Sequence, residues 1–121
     1  MTVYFDVLGT LLSPDERTLR PGAGALLERL VKLGHEVVIW STGGQSYAQA
    51  FARRHELSPW VTEYRSKHDP TNRPEFCVDD HSGHLIGELG NYLIPTYHGS
   101  PEDKALEAVL EAISRAAGGN G

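Results

Sequence analysis

Val3-Tyr4-Phe5-Asp6-Val7-Leu8-Gly9-Thr10-Leu11 opens the chain and carries its first strand and first turn. Val3 to Val7 is short, apolar and β-branched at both ends, the pattern of a buried strand that ends near Asp6. Further along, Glu36 to Trp40 carries the continuous apolar run Val37-Val38-Ile39-Trp40, which suits a strand buried on both faces of a parallel sheet. Between the two, Ser13-Pro14-Asp15 is a turn signal, and Pro21 suits the first turn of a helix. Leu26, Leu27, Leu30 and Val31 then fall on one helical face, and Gly34 is placed to cap its end.

The same alternation continues. Ser41-Thr42-Gly43-Gly44 makes a turn, and Gln45 to His55 reads as a second helix with Tyr47, Ala48, Phe51 and Ala52 facing inward, stopped by Pro59. Trp60 to Arg65 is a weaker strand, Glu75 to Val78 a stronger one leading into Asp79-Asp80, and Tyr92-Leu93-Ile94 a fifth that Pro95 ends. For the last helix the pattern predicts Ser100 as N-cap, Pro101 at the first position, Asp103 in the first turn, and an inward stripe of Leu106, Val109, Leu110 and Ile113. Alternating strands and helices predict an α/β fold: a Rossmann-like parallel sheet of about five strands, helices on both faces and no cap domain. Residues 1–117 read as one domain and 118–121 as a flexible tail.

Composition narrows the function classes. The 121 residues carry a formal net charge of -5, which argues against broad attraction to nucleic acid or anionic membrane. Two basic pairs, Arg17 with Arg20 and Arg53 with Arg54, read as solvated surface. The single cysteine, Cys77, lies in an apolar run and reads as an inert core residue. Met1-Thr2 leads into the first strand without a basic leader segment, and no apolar stretch approaches the roughly 20 residues that span a bilayer, so a cytoplasmic protein is expected.

In parallel sheets, ligands bind at the carboxyl ends of the strands. Asp6, Ser41 and the Asp79-Asp80 pair fall there. A carboxylate facing a carboxylate pair is a hard-oxygen site that suits Mg²⁺. Ser41 with Thr42 and Gly43 at a helix start offers a hydroxyl and backbone N–H groups to an anion. Lys67, in a loop between polar strand ends, would neutralise both a phosphoryl group and the carboxylate beside it. Nucleophile, metal, anion cradle and cation together make a kit for phosphoryl transfer through an aspartyl intermediate. His81 and His84 follow the acidic pair closely enough to suggest a transition-metal site, but exposed loop histidines are the plainer reading, as for His68. Trp40 and Trp60 read as packing. Asn91 to His98, with Tyr92 and Tyr97, borders the site without an assigned role.

On these residues the chain resembles the haloacid dehalogenase-like superfamily. The opening stretch looks like that family's first motif, Val37 to Ser41 its second, Lys67 its third, and Phe76-Cys77-Val78-Asp79-Asp80 its acidic fourth; Arg20-Pro21-Gly22 before an apolar helix is also similar. A receiver domain would carry the acidic pair first, and a P-loop would need a lysine after its glycines. The resemblance implies Asp6 as nucleophile and metal ligand, the Leu8 carbonyl and Asp80 as further ligands to Mg²⁺, Asp79 acting nearby, Ser41 with the Thr42 and Gly43 N–H groups on phosphate, and Lys67 as the catalytic cation. It implies a phosphorylated small molecule or macromolecule as substrate. Two departures stand out. Phosphatases of the family carry a second aspartate, the general acid and base, where this chain has Leu8, and no cap is evident. The alternative reading is a non-catalytic domain of the same kind that recognises a phosphorylated or protein partner.

Overall fold

In the computed structural model, residues 1–118 are described; 119–121, most of the expected tail, lie outside the described residues. The elements run β1 (Thr2–Phe5), α1 (Ala23–Lys32), β2 (Glu36–Ser41), α2 (Gln45–Arg54), β3 (Glu63–Ser66), β4 (Phe76–Asp79), β5 (Gly90–Leu93) and α3 (Glu107–Ala116), with single 3₁₀ turns at Ser58–Trp60 and Ser82–His84. The five strands form one sheet in the order β3-β2-β1-β4-β5, and every pairing is parallel. The α/β class, the strand number and the parallel sheet match the sequence expectation.

Register separates the two faces. Val3 pairs with Val37 and Phe76, and Phe5 with Ile39 and Val78, so these residues share one face. They form a single core with Leu26, Leu27 and Leu30 of α1, Ala48, Phe51 and Ala52 of α2, and Val109 and Ile113 of α3. All three described helices therefore cover the same face, whereas the sequence reading put helices on both. The opposite face, Tyr4, Val38, Trp40 and Cys77, is buried under loops, with Leu85 of the β4–β5 connection packed against it. The cause is the crossover rule. The chain steps from β1 to β2 to β3 in one direction, and right-handed connections put α1 and α2 on one side. It returns through β4 to β5 in the other direction, so those connections run over the second face, and they contain no α-helix.

Local chemistry explains most element ends. At the end of α1 the His35 N–H reaches the Leu30 carbonyl and the Gly34 N–H that of Val31, with Gly34 at φ 92°, a Schellman cap where Gly34 was expected to act. Pro21 precedes α1 rather than entering it, because Gly22, at φ 88°, is the residue that turns the chain. Trp60 falls in a 3₁₀ turn before β3. The largest shift is α3, which begins at Glu107 rather than near Ser100. The Ser100 hydroxyl accepts from the Glu102 N–H in a local turn, and the Asp103 carboxylate is drawn to Arg20 instead of capping a helix.

Arg20 also differs from its sequence reading. It was read as surface, yet its side chain is 0% exposed. A guanidinium has five N–H groups. Nε and Nη2 fork onto the two oxygens of Asp103 at 2.8 and 3.0 Å, Nη2 also reaches the Pro95 carbonyl at 2.8 Å, and Nη1 reaches the Gly9 and Thr10 carbonyls at 3.4 and 3.2 Å. The Tyr97 ring lies under it, 5.3 Å away. One buried cation thus ties together the loop after β1, the loop after β5 and the approach to α3.

Candidate active site

The loop after β1 sets the site. Gly9 has φ 83°, and a Cβ there would come 2.2 Å from an Asp80 oxygen, so only glycine fits between the loop and the end of β4. This close approach brings Asp6, Asp79 and Asp80 together: each offers a carboxylate oxygen within 4.8 Å of the others. β1 and β4 are neighbours on which the chain's direction of travel across the sheet reverses, the crevice position where open parallel sheets bind ligands. The cleft there has a volume of about 200 Å³ and is lined by Asp6, Leu8, Thr42, Lys67, Asp79, Asp80, His81 and His84.

Both oxygens of Asp6 are engaged. Oδ1 lies 2.8 Å from Lys67 Nζ, and Oδ2 accepts from the Thr10 hydroxyl at 3.0 Å. The Thr10 oxygen in turn accepts from the Asp80 N–H at 3.1 Å, while Asp80 Oδ2 accepts from the Thr96 hydroxyl at 2.9 Å. Asp79 Oδ1 accepts from the His81 N–H at 2.9 Å, and its Oδ2 accepts from Lys67 Nζ at 2.7 Å. Lys67 follows β3 and is anchored by its own N–H on the Ser41 carbonyl; its ammonium then crosses the Trp40 ring, 5.5 Å from the centroid, to reach both carboxylates.

Three carboxylates with one ammonium among them leave an excess of negative charge. Burial pushes the Asp6 carboxyl up to about 7, against the pull of Lys67, and the neighbouring Asp79 and Asp80 push the same way. Hard, converging oxygens short of positive charge are the donor set a small divalent cation takes. The residues therefore fit such an ion, with Asp6, Asp79 and Asp80 as its holders.

The structure brings together most of the residues singled out from sequence. Asp6, Lys67, Asp79, Asp80, Leu8 and Thr42 line one cleft. Ser41 sits buried at the end of β2, and its Oγ accepts from the Gly43 N–H at 2.9 Å, so that N–H is already bound within the turn. Cys77 is buried, and burial pushes its thiol up to about 11, as an inert core residue requires. His84 departs from its reading as an exposed loop residue: its Nδ1 lies 2.8 Å from Lys67 Nζ, and its ring stacks on His81 with centroids 4.4 Å apart. Neither Thr10 nor Thr96 was singled out from sequence. Thr10 lies inside the opening motif, four residues after Asp6, and Thr96 lies within Asn91 to His98, the stretch expected to border the site, where its hydroxyl reaches Asp80.

Fold and cluster together define a parallel α/β domain with an acidic crevice at its switch point. Comparison of the chain with protein-family models, curated proteins and solved structures found no match. Among the described residues, no helix is long and apolar enough to cross a membrane.

Proposed function

We propose that this chain is a Mg²⁺-dependent phosphohydrolase domain of the haloacid dehalogenase-like kind, with Asp6 as nucleophile and a phosphorylated small molecule or macromolecule as substrate. The observation that carries the reading is the Asp6 carboxylate held 2.8 Å from Lys67 Nζ within a cluster of three converging aspartates in an open cleft. Bound by Asp6, Asp79, Asp80 and the Leu8 carbonyl, Mg²⁺ would neutralise charge on the phosphoryl oxygens.

The chain's own residues supply the rest. Lys67 and the Thr10 hydroxyl orient the Asp6 carboxylate for in-line attack on phosphorus. The Asp6 oxygen forms a bond to phosphorus as the ester P–O bond breaks, and the electron pair leaves on the ester oxygen. That oxygen takes its proton from water, because Leu8 has none to give. Water then attacks the phosphorus of the Asp6 acyl phosphate, regenerating the carboxylate and releasing inorganic phosphate. Lys67 lies between Asp6 and Asp79, 2.8 and 2.7 Å from their oxygens. Thr42 lines the cleft that would receive the anion, and Ser41 and Gly43 flank it in the turn.

The test is hydrolysis of a generic aryl phosphate by the purified chain with Mg²⁺, with chelator, and with Asp6→Asn. The expected result is phosphate release that needs Mg²⁺ and is abolished in Asp6→Asn; activity that survives both treatments rejects the mechanism. One observation favours a second reading. Leu8 is 40% exposed and lines the cleft beside Asp6, an apolar group where turnover needs a proton carrier. A domain that binds a phosphorylated partner without turning it over would bind beryllofluoride with Mg²⁺, release no phosphate from any ester, and keep its partner bound.

A further inference from the structure

An ammonium group has three hydrogens to donate and accepts nothing. In Lys67 one is donated to Asp79 Oδ2 at 2.7 Å and one to His84 Nδ1 at 2.8 Å, and Asp6 Oδ1 stands 2.8 Å away as an ion-pair partner. His84 Nδ1 is therefore an acceptor, and the neutral ring carries its proton on Nε2. An incoming oxygen therefore meets an ammonium that already has three partners within 2.8 Å.

The three acceptors differ in how readily they can leave. Asp6 and Asp79 are buried carboxyl groups at the ends of β1 and β4. His84 is neutral, its side chain is 35% exposed, and it sits on the single 3₁₀ turn Ser82–His84. Its ring stacks on His81, which is itself steadied at Nδ1 by the Gly83 N–H at 3.1 Å. Once released from Lys67, the His84 ring moves toward water, where its Nδ1 finds a new donor at little cost.

Resting on the reading of this cleft as a phosphate site, we infer that His84 holds the place of a substrate oxygen on Lys67, so that the Lys67–His84 contact and the binding of a phosphate-type anion exclude one another. The histidine keeps one hydrogen of Lys67 satisfied until an anion arrives, and the entering anion trades a neutral acceptor for a charged one. The trade favours doubly charged oxyanions over neutral or singly charged ligands, because only a strong acceptor recovers the contact that His84 gives up.

Inorganic phosphate is the probe. It is titrated with Mg²⁺ present, at pH 8, into the full chain and into His84→Ala, His84→Gln and Lys67→Met, with binding read by calorimetry and the histidine ring nitrogens by NMR. His84→Ala should bind phosphate about tenfold more tightly than the wild type, the scale of one hydrogen bond to a charged group. His84→Gln, whose amide oxygen can still accept from Lys67, should stay near wild type, and Lys67→Met should bind weakly. Saturating phosphate should move the wild-type His84 Nδ1 resonance toward that of a ring nitrogen without its Lys67 partner. Phosphate binding that is unchanged or weakened in His84→Ala, or an Nδ1 resonance that stays put while phosphate binds, overturns the exclusion and leaves the phosphate-site reading standing. Absence of phosphate binding in the wild type and in His84→Ala alike overturns both.

Discussion

If the chain is the phosphohydrolase proposed above, Leu8 is the residue on which its turnover depends. It lies two positions past Asp6, lines the same cleft and is 40% exposed, unusual for a leucine beside buried carboxylates. The haloacid dehalogenase-like resemblance implies a proton-carrying aspartate at that position. An aspartate there would face Asp6, whose carboxyl burial already pushes up to about 7, so like-charge repulsion would raise one of the two further and keep a proton available for the leaving group. General acid–base help is worth about 10²–10⁴ in rate. Leu8→Asp is therefore expected to raise Mg²⁺-dependent turnover of an aryl phosphate by at least about tenfold. Leu8→Asn, similar in shape but unable to shuttle a proton, is the control. Equal rates for the two, with both folded and binding Mg²⁺, would show that the side chain at position 8 does not face the leaving group.

At the scale of elements, the Arg20–Asp103 fork decides where α3 starts and how the loop after β1 is held. Arg20 contributes no solvent-exposed surface, and its contacts on the Gly9 and Thr10 carbonyls fix the backbone that carries the Thr10 hydroxyl to Asp6. Breaking a buried pair by removing one partner strands the other charge and costs about 3–5 kcal/mol. Asp103→Asn should accordingly lose about 3 kcal/mol at neutral pH, read by urea denaturation. The Arg20 guanidinium holds the Asp103 carboxyl below its ordinary value. The folded state thus favours the ionised form, and this contribution is complete above the unfolded-state pKa and lost as pH falls through the lower folded-state one. The deficit of Asp103→Asn relative to wild type should shrink steadily below the ordinary carboxylate range. A deficit that stays constant into acid would mean that shape, and not charge, is what Arg20 needs from Asp103.

Over the whole molecule, the sheet has two unequal coverings. One face carries α1, α2 and α3; the other is closed by the 67–75 and 80–89 connections. The first of these is pinned by Arg65, which donates to Asn72, Asp69 and Thr71, and the Asn72 amide reaches the Ser66 carbonyl at 2.9 Å. The second approaches so closely that a Cβ at Gly87 would lie 3.0 Å from the Cys77 nitrogen. Lys67 and His84 stand on these two connections, so the loops that close the second face also build the cleft. Because helical cover exists on one side alone, α3 has no substitute over β4 and β5. A 1–99 fragment should expose Phe76, Val78 and Tyr92, leave Arg20 without Asp103, and aggregate or fail to unfold cooperatively in calorimetry. A soluble fragment with a sharp transition would make α3 an appendage to a core complete without it.

Local patterning specifies the fold class and the strand ends on which the candidate site stands. Apolar runs such as Val37 to Trp40 can only be buried on both sides, glycines such as Gly34 end helices by local backbone chemistry, and a carboxylate just past a parallel strand must emerge at its carboxyl end. These signals are short-range, and they put Asp6, Ser41 and Asp79-Asp80 at one edge of the sheet before any contact was known. The tertiary structure decided what depends on distant partners. Arg20 looked solvated because nothing near it in sequence announces Asp103, 83 residues on, and the same partnership took Asp103 away from the helix cap that its spacing predicted. His84 looked like a loop histidine until the chain carried Lys67 across Trp40 to meet it. The one-sided helix layer follows from strand order, which periodicity does not encode. A buried charge chooses its partner by reach through space, and local patterning is blind to that choice.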